Sequence, residues 1–144
     1  MGQQQLLLII LGVIIVGIAV AVGITMFQDN AISANKDSVV NDLVQLAAKA
    51  QQFYRRPTSL GGGGNSYTTL TADSVGMGML VSPAFSSNDN GKYFITTAGD
   101  ATQLVLTGYG RSQNADGTYP QITMTVRPTG NTLGAWINTA TAIP

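Results

Sequence analysis

Near its start the chain carries an apolar run with no polar face. From Leu6 to Phe27 no residue is charged, and Thr25 supplies the one hydroxyl. Gln3, Gln4 and Gln5 precede the run; Gln28, Asp29 and Asn30 follow it. As a helix these residues extend roughly 33 Å, enough to cross the hydrocarbon core of a bilayer. A helix that is apolar all round must be buried all round, by lipid or by copies of itself in a bundle. Gly12, Gly17 and Gly23 each cost about 1 kcal/mol of helix propensity. They either allow close approach of helices or are simply tolerated there.

A second pattern follows. Ile32, Val39, Leu43, Leu46, Ala50 and Phe53 recur at spacings of seven, four, three, four and three, with Lys36 filling the missing step. That spacing predicts a one-faced amphipathic helix. Asp37, Asn41, Asp42, Gln45, Lys49, Gln51 and Gln52 are expected on its other faces. No proline interrupts Gln3 to Arg56, and Pro57 ends the pattern, with Arg55 and Arg56 in the last turn where cations suit the helix dipole. One helix, or two nearly continuous ones, is expected from Gln3 to about Tyr54, roughly 78 Å long.

The remainder reads as β-structure. Residues 58–66 (TSLGGGGNS) are expected to be a flexible loop, and 66–71 a short strand; 72–85 is ambiguous. Turn signals then precede strands at 92–98, 102–109, 119–127 and 133–137. In 119–127, Ile122, Met124 and Val126 alternate with Gln121, Thr123, Thr125 and Arg127, predicting a sheet with one buried and one wet face. Short links imply an antiparallel meander of about four strands. The face of Val39, Leu43, Leu46, Ala50 and Phe53 is the available cover for that sheet. The expected fold class is therefore α+β, a long N-terminal helix packed on an antiparallel, roughly four-stranded meander. It divides into an apolar helical stalk, 1–30, and a globular head, 31–144. The head comprises an amphipathic helix at 31–56, a loop at 57–91, the meander at 92–138 and a tail at 139–144.

Composition narrows the chemistry. Of 144 residues seven are basic and seven acidic, and the acids are all Asp. Zero net charge gives no electrostatic case for nucleic acid. Histidine and cysteine are absent, which excludes a thiolate nucleophile, a histidine base, a Cys/His metal site and a disulfide. The glycine run lacks the Gly-Lys-Ser/Thr of a phosphate loop. Asp89, Asp100 and Asp116 fall in separate turns and read as turn residues rather than calcium ligands. Trp136 reads as a sheet-edge or core aromatic. No catalytic residue, cofactor or metal site is expected, and the chain is not expected to be an enzyme. No Lys or Arg precedes Lys36 and the apolar core is overlong, so a cleaved secretory signal is not expected.

The stretch MGQQQLLLIILGVIIVGIAVAVGI (1–24), the stripe from Ile32 to Phe53 and the meander from Lys92 to Ile137 together resemble the bacterial type IV pilin family. The resemblance implies a subunit anchored in the inner membrane before assembly, then built by pilus assembly machinery into an extracellular, homo-oligomeric helical filament at the cell surface. It implies a polymerising surface of Met1, Gln5, Leu6, Leu7, Leu8, Ile9, Ile10, Leu11, Gly12, Val13, Ile14, Ile15, Val16, Gly17, Ile18, Val20, Val22, Gly23 and Ile24. The family usually has a basic leader ending in Gly, and Glu at the fifth mature position. Here Gln5 takes that place if the mature chain starts at Met1, and Leu7 if cleavage follows Gly2. The alternatives are a bitopic membrane protein with a small extracytoplasmic binding domain, and a secretion-system pseudopilin.

Overall fold

The computed structural model describes residues 2–144, so Met1 of the expected polymerising surface lies outside the described residues. A single helix, α1, runs from Gly2 to Arg55 without a break. Its two halves differ only in what their side chains meet. The first half has no buried residue, whereas Val39, Leu43, Leu46, Ala47, Ala50 and Phe53 of the second are buried.

α1 stops because Pro57 cannot continue it and the glycine run folds back over its end. The Gly63 N–H donates to Phe53 O at 2.8 Å, Asn65 N–H to Tyr54 O at 2.8 Å and Gly64 N–H to Arg56 O at 2.9 Å. These bonds satisfy carbonyls that the helix itself leaves open. A Cβ on Gly62 would overlap the Arg56 backbone, and one on Gly63 the Ser66 carbonyl. The expected flexible loop is thus a fitted cap, in which Gly62 and Gly63 permit close approach and Gly61 and Gly64 take the left-handed conformation.

Residues 57–91 are also more structured than the loop expected there. A 3-10 turn at Thr58–Leu60 leads to short helices α2 (Ser74–Leu80) and α3 (Pro83–Ser86). Residues 66–71 form turns instead of a strand. Asp73 caps α2, its Oδ1 accepting from the Val75 and Gly76 amides at 2.9 Å. Tyr67, Leu70, Met77 and Leu80 enter the core, so this segment closes one end of the head.

The sheet is antiparallel and has five strands rather than four: β1 (Gly91–Thr97), β2 (Leu104–Gly110), β3 (Tyr119–Arg127), β4 (Gly130–Leu133) and β5 (Ile137–Ala140). The order is β1-β2-β3-β4, and β5 also pairs with β3. β4 pairs with Met124–Arg127 and β5 with Tyr119 and Gln121, so the two lie end to end along one side of β3. The strand expected at 133–137 is split: Leu133 ends β4, Ile137 begins β5, and residues 134–136 are the break between them. There Gly134 N–H donates to Thr123 O at 2.8 Å and Trp136 tucks partly against the core.

Val39, Leu43, Leu46 and Ala50 are fully buried and Phe53 nearly so, against Tyr93, Ile95, Leu104, Leu106, Ile122, Met124 and Val126 of the sheet. The helix comes close at β2 because Gly108 has no side chain. A Cβ there would lie 2.9 Å from Val39 Cγ1 and 3.2 Å from Leu43 Cδ1. Lys36, at the missing step of the stripe, lies 5.4 Å above the Trp136 ring and so covers it.

Candidate functional site

The candidate site is the unburied half of α1. Its large aliphatic and aromatic side chains range from 49% exposed at Leu11 to 79% at Phe27. The helix contains a window long and apolar enough to cross a membrane, none of it buried inside the fold. No atom outside the helix itself lies within 4 Å of a Cβ built on Gly12, Gly17 or Gly23. Gln5 and the apolar positions from Leu6 to Ile24 that the resemblance pointed to all stand on this one free cylinder. The Thr25 hydroxyl donates to Val22 O at 2.8 Å, so it offers no free donor to a neighbour.

The helix leaves the head as a rigid extension of it. No glycine or proline lies between Ile24 and Pro57 to make a joint. Asn35 is held at the neck: its Nδ2 donates to Asn90 O at 2.8 Å, and its Oδ1 accepts from the Ser112 amide at 3.3 Å. Below that contact the β2–β3 loop and α1 form a groove of about 420 Å³. Ile32, expected in the core stripe, is only partly buried and lines this groove instead.

A polar site inside the head went unread in the sequence. Asp42, expected on a wet face, is 92% buried, with 8% exposed. Its Oδ2 accepts from Tyr93 Oη at 2.6 Å, Asn88 Nδ2 at 2.8 Å and Asn90 Nδ2 at 3.0 Å. Burial pushes this carboxyl up, but the three hydrogen bonds outweigh it and hold the group below its ordinary value. The Tyr93 hydroxyl is pushed up, by burial first and then by the adjacent carboxylate. The cluster ties α1 to β1 and to the turn before it, and so acts as a structural latch. Its signal was present: Asp42 stands three residues after Val39 and four before Leu46, on the buried face.

The turn carboxylates act locally. Asp100 Oδ1 accepts from the Thr102 and Gln103 amides at 2.6 and 2.7 Å, and Asp116 Oδ1 from the Thr118 amide at 3.0 Å. Hydrogen bonds from the Thr102 and Gln103 amides, and from the Thr118 hydroxyl, hold both below the ordinary carboxylate range. Among the described residues no three such side chains converge on a common point. An apolar cavity of about 350 Å³ lies between α2 and β1, walled by Met77, Val81, Tyr93, Phe94 and Ile95. Comparisons with protein-family models, with curated proteins and with solved structures found no match.

Proposed function

We propose that this chain is the structural subunit of a type IV pilus-like extracellular filament, polymerising through the apolar half of α1. One observation carries it: a single unbroken helix is fixed in the head by its second half and leaves a fully apolar cylinder free. Gross burial of that cylinder is worth about 1.5–3 kcal/mol per large side chain. The net gain per subunit is much smaller, because lipid already solvates the stalk of an inner-membrane precursor and ordering costs oppose assembly. Assembly machinery would draw the stalk from the bilayer into a core of identical stalks. Contacts of this kind are head-to-tail and do not close, so they build a helix of copies rather than a ring. The heads would form the outer wall, neutral and rich in hydroxyls and amides. No catalytic step, cofactor or nucleic acid enters.

Electron microscopy of material sheared from cells, with intact-mass spectrometry of the subunit, tests this. Thin uniform filaments made of this chain are the expected result, and the mass fixes the mature first residue. If the chain instead stays with the membrane and sheared fractions lack it, the filament is excluded. A bitopic protein with an extracytoplasmic head then takes its place.

A further inference from the structure

The stalk carries two polar collars with no free polar group between them. Gln3, Gln4 and Gln5 are exposed at its outer end, and Gln28, Asp29 and Asn30 at its neck. Beside the neck collar lies the groove between α1 and the β2–β3 loop, walled by Gln28, Asp29, Ile32, Ser112, Gln113 and Asn114. The loop is held in shape by Asn114 N–H to Thr118 O at 2.8 Å, Gly117 N–H to Asn114 O at 2.9 Å and the Asn35–Ser112 bond at the neck. The groove is therefore formed before any partner arrives.

Side-by-side packing of stalks makes the glutamines a problem. Each primary amide brings two donors and an acceptor. Against a neighbour's residues 6–27 those groups would meet aliphatic side chains and stay unpaired, which is penalised in a water-free core. Beyond its own glutamine collar, the neck is the first place along another copy's stalk where amide groups face outward, and Asp29 there is the first carboxylate. Resting on the filament proposed above, we infer that the Gln3–Gln5 turn of one copy seats in the neck groove of a second copy. The Asp29 carboxylate there accepts a glutamine N–H in a charge-assisted bond. Gln113 and Asn114 supply further amide donors and acceptors, and Ile32 packs on the glutamine methylenes. From Gln4 to Gln28 α1 rises roughly 36 Å at 1.5 Å per residue, so the two copies are displaced by about that distance along the axis. Occupant and groove lie at opposite ends of the stalk, so the contact repeats without closing.

The chain has no cysteine, so any disulfide between copies must join introduced ones. Filaments of the Gln4→Cys/Ala31→Cys chain, mildly oxidised, are expected to give a ladder of linked subunits on a non-reducing gel. Filaments of the Gln4→Cys/Val16→Cys chain, which report a stagger of roughly 18 Å, are expected to give about tenfold less. The reverse ratio overturns the inference. Because introduced cysteines can block assembly, an electron-microscopy map of unaltered filaments supplies the second reading. Glutamine amides within hydrogen-bonding distance of a second copy's Asp29 or Gln113 support it. Glutamines that contact only residues 2–27 of their neighbours, their glutamine collars included, overturn it while leaving the filament intact. Absence of any filament overturns the functional proposal as well.

Discussion

The Asp42 carboxylate and the Tyr93 hydroxyl meet at 2.6 Å across the interface between α1 and β1. The same carboxylate oxygen also receives the side chains of Asn88 and Asn90 from the turn that starts β1. Asn88 in turn accepts the Asn90 and Gly91 amides at 3.0 Å, which fixes that turn. One oxygen atom thus ties the helix to the sheet's first strand.

Replacing Tyr93 by Phe removes one donor from a buried charge and is expected to cost about 1–3 kcal/mol. Tyr67 offers the opposite case. Its hydroxyl is buried and, among the described residues, has no hydrogen-bond partner. Tyr67→Phe is therefore expected to be neutral, or stabilising by up to about 1 kcal/mol. Urea unfolding of the full chain in detergent compares the two. Equal losses at both positions would show that the Asp42 latch is not what distinguishes them.

The latch also sets a pH dependence with a definite sign. Asp42 has its carboxyl held below the ordinary value in the folded head. Its contribution is present above the unfolded value of about 4 and is lost as pH falls through the folded one. Tyr93 is shifted upward, so its contribution is present below about 10 and is lost as pH rises further. Stability is expected to be flat between those limits and to fall on both sides. In Asp42→Asn the acid limb should become shallower. An acid limb unchanged in that variant would assign acid sensitivity to other carboxylates.

Gly108 sets the distance between α1 and β2. Gly108→Ala places a methyl 2.9 Å from Val39 Cγ1, and overpacking of this kind costs about 1–3 kcal/mol. Val39→Ala on its own opens a cavity and is destabilising too. Together the two changes make room for each other, so the double variant is expected to be more stable than the sum of the single losses. A double-mutant cycle measures this coupling; additivity would mean the two residues do not share the contact.

Much of this architecture was legible because it follows from periodicity. The stripe from Val39 to Phe53 forced the helix-on-sheet packing, and Ile122, Met124 and Val126 fixed which face of β3 turns inward. What stayed hidden depended on partners distant in the chain. Asp42's place on the buried face was readable from its spacing, but the donors that satisfy a carboxylate there lie about fifty residues further on. The glycines after Leu60 looked free because nothing local shows that their amides meet α1's last carbonyls. α2 was unreadable because its buried apolar side chains, Met77 and Leu80, span barely one turn, and only the Asp73 cap marks its start. At the stalk, sequence revealed the apolar cylinder but not the preformed groove at its neck, which needs the β2–β3 loop brought beside Gln28.

The stalk and the head are expected to fail separately. Ile15 is 58% exposed near the middle of the apolar cylinder and touches nothing in the head. A carboxylate there costs about 2.5–3.5 kcal/mol at the centre of a bilayer. It is also unmatched by the stalks of neighbouring copies in a packed core, because residues 6–27 carry no basic side chain to pair with it. That energy corresponds to more than about fifty-fold in an equilibrium. Ile15→Asp is expected to reduce sheared filaments by at least that factor, while the remaining aliphatic residues of the stalk still hold the chain in the membrane. The unfolding midpoint of the head should not move, because the Asp42 latch and the Val39 to Phe53 face are untouched. Ile15→Leu keeps the cylinder apolar and is expected to behave as the unaltered chain. Filaments of normal yield from Ile15→Asp would mean that the stalks are not packed against one another, and polymerisation would then have to run through the heads.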